Sequence, residues 1–233
     1  MTTRSRITAQ PAYASVGKSN YPVVVVSFVA LLLISNICAT KLIAFGPVVV
    51  DGGALLFPLT YIIGDILSEV YGLKAAKRAI YLGFGFAFLA AFTFWVVQLA
   101  PPAPGYNNQA AFAAVLGFVP RIVIASLLAF FVGQLLNAYV LVRIKQRTQE
   151  RHLWIRLIGS TLVGELADTI VFCTIAFYGV ITGWEFFSYV VTGYVYKCLI
   201  EVVLLPVTYR VIAAAKRHEP TYLQTDPTQT ASA

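Results

Sequence analysis

The chain has 233 residues, 59% of them hydrophobic and 12% charged, with a mean hydropathy of +0.78. A soluble domain carries roughly 45–50% apolar and about 25% charged residues, so this composition excludes an ordinary water-soluble globule and suits a chain whose solvent is a bilayer. The net charge of +7 falls in short clusters between apolar runs rather than along one stripe. That is a topology signal, and it argues against a nucleic-acid partner.

Apolar runs long enough to cross a hydrocarbon core of about 30 Å lie at 23–45, 53–71, 79–99, 119–142, 156–180 and 187–212. The expectation is an all-α integral membrane protein with six transmembrane helices. Residues 1–22 read as a polar tail, 23–212 as one membrane domain and 213–233 as a polar, Pro-containing, disordered tail. The first run is too long for a signal-peptide core and reads as a span. Residues 110–142 exceed one crossing, so part of that stretch is expected along the interface. Turn markers separate the runs: Gly46-Pro47 with Asp51-Gly52-Gly53, the stretch from Pro101 to Gln109, and Thr182-Gly183-Trp184.

Orientation follows from Lys and Arg. Arg4, Arg6 and Lys18 precede the first span, Lys74, Lys77 and Arg78 follow the second, Arg143, Lys145, Arg147, Arg151 and Arg156 follow the fourth, and Arg210, Lys216 and Arg217 lie at the C-terminal end. Fourteen of the 17 basic residues thus fall on one side, which puts both termini in the cytoplasm. An even number of spans is what this requires.

Eight charged residues remain inside the runs: Lys41, Arg121, Lys197, Asp65, Glu69, Glu165, Asp168 and Glu201. Exposed to lipid and unpaired, they would cost on the order of 20 kcal/mol. They must therefore pair, neutralise, reach the interface or line a wet cavity. At about 1.5 Å per residue, Asp65, Glu165 and Glu201 lie roughly 9–12 Å deep, with Asp168 and Lys197 near the middle. Glu69, Lys41 and Arg121 lie close enough to a surface to snorkel. Asp65 with Glu69, Glu165 with Asp168, and Lys197 with Glu201 are three or four apart, so each pair shares a helix face. Gln134 and Asn137 do the same in the fourth run, and Asn36 is polar within the first. These faces are expected to converge on one internal cavity, with Tyr61, Trp95, Phe172, Tyr194 and Tyr196 near enough to stack on a flat ligand. Buried acids also admit proton coupling.

Gly64-Asp65-Ile66-Leu67-Ser68-Glu69 is echoed by Gly164-Glu165-Leu166-Ala167-Asp168-Thr169, each in the middle span of a three-helix half. The halves would run in opposite directions, as in an inverted three-plus-three repeat. Cys38, Cys173 and Cys198 sit in apolar runs with no metal spacing, so they read as small apolar residues, and no metal or cofactor is expected. An intramembrane aspartyl protease using Asp65 and Asp168 lacks the second glycine of its Gly-x-Gly-Asp signature and any Tyr-Asp partner. No nucleotide loop or catalytic triad spacing occurs. The reading is not an enzyme.

The segments Ile34-Ser-Asn-Ile-Cys-Ala-Thr-Lys41, Tyr61-Ile-Ile-Gly-Asp-Ile-Leu-Ser-Glu-Val-Tyr-Gly72, Gly164-Glu-Leu-Ala-Asp-Thr169 and Tyr194-Val-Tyr-Lys-Cys-Leu-Ile-Glu201 resemble the queuosine precursor transporter family, a group of vitamin uptake transporters. The resemblance spans about residues 23–212. It implies uptake of 7-cyano-7-deazaguanine or 7-aminomethyl-7-deazaguanine across a bacterial cytoplasmic (inner) membrane. The guanine-like edge would be met by Glu165 or Asp168, with Asn36, Asp65, Gln134, Asn137, Lys197 and Glu201 around it, and an aminomethyl cation would take a second carboxylate. Lys41, Tyr61, Glu69, Arg121, Phe172 and Tyr194 are further candidates. The implied partners are that small substrate, the lipid bilayer and, as the one assembly admitted, a second copy in a homodimer. Binding components of ATP-driven vitamin importers share this architecture but commonly carry Ala-x-x-x-Ala repeats in the first span. Ala30, Ala39 and Ala44 are not so spaced, which favours a solitary carrier.

Overall fold

The computed structural model describes residues 12–17, 19–45, 48–117, 120–148, 152–177, 179 and 182–223. In chain order these form α1 (Tyr21–Cys38), a hairpin of β1 (Leu42–Phe45) and β2 (Val48–Asp51), a 3-10 turn (Gly52–Leu55), α2 (Phe57–Val70), α3 (Gly72–Leu99), α4 (Gln109–Leu116), α5 (Pro120–Thr148), α6 (Leu153–Phe177), α7 (Gly183–His218) and α8 (Pro220–Leu223). Among the described residues five helices, α1, α3, α5, α6 and α7, are long and apolar enough to cross a membrane. Their outer faces carry large apolar side chains, such as Phe88, Phe92 and Trp95 on α3 and Leu199 and Val203 on α7. The protein is an α-helical, multi-pass membrane protein.

The second expected span departs from a simple crossing. Val48-Val49-Val50 is β-branched and follows Gly46-Pro47, which favours a hairpin over a helix. The strands pair antiparallel, with Leu42 opposite Asp51 and Phe45 opposite Val48. The hairpin takes the end of the first expected span, and the 3-10 turn takes the start of the second. The turn closes on α1: the Gly52 amide donates to the Lys41 carbonyl (2.7 Å) and Ser35 Oγ to the Gly53 carbonyl (3.1 Å). What remains is α2, 14 residues long and therefore about 21 Å, short of the core thickness. It tolerates this because it is enclosed. Tyr61, Ile62 and every residue from Gly64 to Val70 are buried, with α1, α3, α5 and α7 packed around them.

Six helices share one end of the molecule. The Ala14 amide donates to the Val70 carbonyl at the close of α2 (2.8 Å), and Tyr21 Oη to the Ala75 carbonyl in the first turn of α3 (2.9 Å). Lys145 of α5 donates to the Ala12 carbonyl (2.9 Å). Arg156 at the start of α6 and Lys216 at the end of α7 both reach Glu69 of α2. The described terminal segments therefore meet, with Asn20 Nδ2 donating to the His218 carbonyl (2.9 Å). Gly72 turns α2 into α3 with φ +80°, a left-handed conformation that favours glycine, and a Cβ there would stand 3.1 Å from the Tyr13 ring.

The C-terminal region is more ordered than its composition suggests. α7 continues to His218, and α8 buries Tyr222 beside Ala12 and Ala14. This corrects the expectation of a disordered tail from residue 213; residues 224–233 lie outside the described residues. Glu219 ties the arrangement together. Burial pulls its carboxyl up, but hydrogen bonds from Tyr71 Oη (2.7 Å), Thr221 Oγ1 (2.7 Å) and the Asn20 amide (3.0 Å) outweigh that and hold it below the ordinary carboxylate range. A depressed carboxylate contributes stability that is complete above its unfolded value of about 4.3 and lost as pH falls through the folded value. Glu219→Gln is thus expected to melt below wild type at neutral pH. The gap should close under acid, in a thermal-unfolding series compared pH by pH.

Of the other expected runs, those at 79–99, 119–142 and 187–212 become longer helices, and that at 156–180 becomes α6 of equal length. The run at 119–142 is α5, which extends to Thr148. The stretch before it forms the separate helix α4, none of whose residues is buried. α5 and α6 make the most extensive helix pair. Small residues permit their approach: a Cβ on Gly164 would stand 2.8 Å from Asn137 Cβ and 3.0 Å from the Gly133 carbonyl, and one on Gly133 would stand 2.8 Å from Asp168 Cβ. Gly164→Val is therefore expected to force the pair apart and cost about 1–3 kcal/mol, read as a lower melting temperature of the purified protein. A melting temperature equal to wild type would refute this close crossing.

Candidate functional site

Helical spacing and packing together build a polar cluster between α2, α5, α6 and α7. Asp65, Gln134, Asn137, Glu165, Asp168 and Glu201 all turn inward, and none is more than 8% exposed. Lys197 reaches in from α7 with 29% of its side chain exposed. The close crossing seats Asp168 against Gly133 and Asn137 against Gly164. Gly64 lets α2 approach Gln134, whose Oε1 would lie 2.8 Å from a Cβ there.

Four carboxylates share this region with one cation. Lys197 Nζ donates to Asp168 Oδ2 in a short contact and stands 3.4 Å from Glu165 Oε2. Asn137 Nδ2 donates to Asp65 Oδ1 (3.0 Å). The Tyr61 hydroxyl faces Glu165 from α2. Gln134 Nε2, Asn137 Oδ1, Glu165 Oε1, Thr169 Oγ1 and Glu201 Oε1 are buried and make no hydrogen bond among the described residues. Buried polar atoms without a partner are few in a folded protein, and concentrating so many in one place is what a polar ligand would require. Thr169 was not singled out by the sequence, although it follows Asp168 on the face that Glu165 occupies.

The faces are drawn together in this conformation. The gap lined by Asp65, Thr161, Glu201 and Thr208 has a volume of about 10 Å³, room for about one water. A flat heterocycle would need α7 to move away from α2 and α6.

Several expected members lie elsewhere. Asn36 lines a separate cavity of about 250 Å³ between α1, α3 and α5, with Thr40, Phe94 and Ser126. Lys41 is exposed just beyond α1. Trp95 and Tyr196 face outward, 50% and 40% exposed, which removes them from the stacking candidates. Phe172 is half-buried on α6, and half-buried Tyr194 donates its hydroxyl to the Leu162 carbonyl (3.2 Å). The Arg121 side chain lies outside the described residues. No group of three or more His, Cys, Asp or Glu is placed to hold a metal among the described residues.

Glu69 departs furthest from expectation. It does not snorkel but is fully buried, accepting from Arg156 Nε (3.1 Å) and Nη2 (2.7 Å) and from Lys216 Nζ (2.7 Å), with Lys145 Nζ at 3.6 Å. Lys145 also lies over the Tyr13 ring, 4.4 Å from its centroid. The sequence reads the three bases as cytoplasmic charges, yet Lys145 and Arg156 are buried. One signal was available in the sequence: Lys145 continues the buried face of Leu141 and Val142 at i+4 and i+3.

Comparison with known proteins places this arrangement in a family. A family profile described as "Putative vitamin uptake transporter" matches residues 51–211, which hold α2 through most of α7. A Bacillus subtilis (strain 168) protein named "Probable queuosine precursor transporter" is 33% identical over 72% of each chain. An Escherichia coli (strain K12) protein named "Queuosine precursor transporter" is 28% identical over 69% of this chain and 71% of its own length. No solved structure matches. The profile covers well over half the chain, and it spans the carboxylate-bearing parts of α2, α6 and α7 and the amides of α5. The chain therefore belongs to the vitamin uptake transporter family, and it is a membrane transporter rather than an enzyme.

Proposed function

We propose that the chain imports a 7-deazaguanine precursor of queuosine, 7-cyano-7-deazaguanine or its aminomethyl relative, across a bacterial cytoplasmic membrane. The observation that carries this reading is the cluster of buried carboxylates and amides around Glu165, several of whose polar atoms make no hydrogen bond among the described residues, taken with the names of the relatives. A guanine-like edge offers a ring N–H beside an exocyclic amine, a fork that one carboxylate accepts in bidentate fashion. Glu165 is the better candidate acceptor because Lys197 engages Asp168 more closely than it does Glu165. Gln134 Nε2 is the donor for the ring carbonyl, and Asn137 Oδ1 and Thr169 Oγ1 take remaining ring groups.

In this reading the chain crosses six times with both termini cytoplasmic. The second crossing is composite, made of the 3-10 turn and the short enclosed helix α2. Irregular backbone of this kind is tolerated at membrane depth where protein surrounds it. The meeting of the terminal segments at one end supports an even count. An inverted repeat is supported by the way Gly64 and Gly164 both seat on α5, against Gln134 and Asn137. The carrier acts without an ATPase.

The test is uptake in cells that cannot make the precursor, supplied with 7-cyano-7-deazaguanine at low concentration. Expression of the chain restores queuosine in tRNA. Normally inserted protein that restores none would overturn the reading. Uptake lost with Asn36→Ala yet kept with Glu165→Gln would move the seat to the 250 Å³ cavity.

A further inference from the structure

Resting on that transport reading, we propose that Glu201, with Asp65 beside it, is the site of a coupling proton that enters with each substrate molecule. Asp65 on α2 and Glu201 on α7 line the same gap of about 10 Å³, with Thr161 and Thr208. They are 1% and 8% exposed. Neither forms an ion pair with a Lys, Arg or His among the described residues, and Lys197, one turn before Glu201 on α7, is engaged by Asp168 and Glu165. The titratable groups facing the two carboxylates, besides each other, are Tyr61 and Glu69 on α2, Glu165 on α6 and Cys198 on α7. α5 offers the neutral amides of Asn137 and Gln134. Glu69 is already matched by Lys145, Arg156 and Lys216.

Two ionised carboxylates in one enclosed space, without a cation, repel each other and lack solvation. A proton on one of them removes a charge and supplies a hydroxyl donor. An acceptor for that donor is at hand in the facing carboxylate, since Asp65 and Glu201 line the same gap. Asp65 already takes the Asn137 N–H, whereas Glu201 Oε1 has no hydrogen bond among the described residues, which makes Glu201 the carrier. Its helix can respond, because Pro206 lies inside α7 and leaves the carbonyl four residues back, that of Val202, without a main-chain donor. On the outer side the Glu201 carboxylate takes H⁺ from hydronium, forming an O–H bond and releasing water. On the inner side the O–H bond breaks, a water takes the proton as hydronium, and the carboxylate is restored.

The test uses purified full-length chain in proteoliposomes with an entrapped pH dye and labelled 7-cyano-7-deazaguanine. With acid outside, wild type accumulates the compound roughly tenfold above equilibrium for each unit of gradient, and adding the compound acidifies the lumen. Glu201→Gln, at whatever rate it runs, levels off at equilibrium without acidification. Wild-type counterflow exchange that ignores the pH gradient overturns the proposal while leaving the transport reading intact. Accumulation driven by a sodium gradient alone also overturns it, as does accumulation by Glu201→Gln that matches wild type. Absence of any exchange by wild type overturns the transport reading, and the proton site with it. The wild-type dye signal decides coupling even if the variant fails to insert.

Discussion

Glu165→Gln is expected to fold and insert normally but to bind a 7-deazaguanine at least roughly 100-fold more weakly than wild type. The fold survives because Lys197 keeps Asp168 as its partner and the amide fills the same space. Binding suffers because a carboxylate offers two acceptors to the paired donors of a guanine-like edge, whereas the amide turns an N–H toward one of them. Each hydrogen bond to a charged group is worth about 1.5–3 kcal/mol, and about 1.4 kcal/mol corresponds to tenfold in Kd. Losing even one bond while opposing two donors reaches the stated factor. Isothermal titration of wild type and variant with 7-cyano-7-deazaguanine checks it. A variant affinity within a few-fold of wild type would remove Glu165 from the site.

Glu69→Ala is expected to be the most destabilising single change in the molecule. The residue is fully buried and faces three cations from three helices, so its removal strands like charges where little water can reach. Breaking a buried ion pair by deleting one partner costs about 3–5 kcal/mol. For a chain of this size that corresponds to a melting point lower by on the order of 10 °C. Lys216→Met should cost less, because that side chain is 21% exposed and Arg156 and Lys145 remain. Thermal unfolding of the purified proteins orders the variants. A Glu69→Ala melting point within a degree or two of wild type would mean the cluster does not hold the shared end together.

Much of this architecture is legible from hydropathy, and the failures have identifiable physical causes. The runs at 79–99, 156–180 and 187–212 lie within or close to α3, α6 and α7. The helices extend beyond most of these bounds because an apolar run marks only the lipid-facing length, while hydrogen bonding continues into charged turns. The hairpin was hidden because an apolar β-branched stretch looks the same in a strand as in a span. Spacing groups Asp65, Gln134, Asn137, Glu165, Asp168, Lys197 and Glu201 on shared helix faces, and all but Lys197 are buried. It could not pair Asn137 with Asp65 or Lys197 with Asp168, since those contacts join helices far apart in sequence. Asn36 shows the other limit: depth along a helix can be read from sequence, but rotation about its axis relative to distant neighbours cannot. Glu69 shows a third, because a charge near a span end gives the same signal whether it snorkels or meets an inward-turned base.

The central claim is that the carboxylate and amide cluster between α2, α5, α6 and α7 seats a 7-deazaguanine. It is tested most directly by a thermal-shift titration of the purified chain with 7-cyano-7-deazaguanine, 7-aminomethyl-7-deazaguanine and guanine, repeated on Glu165→Gln. A ligand that binds only the folded state raises its melting point in proportion to the logarithm of concentration over Kd. The account predicts a saturable rise for at least one of the two precursors, absent from the variant. An identical rise in wild type and variant, or no rise in wild type with either precursor, would contradict it.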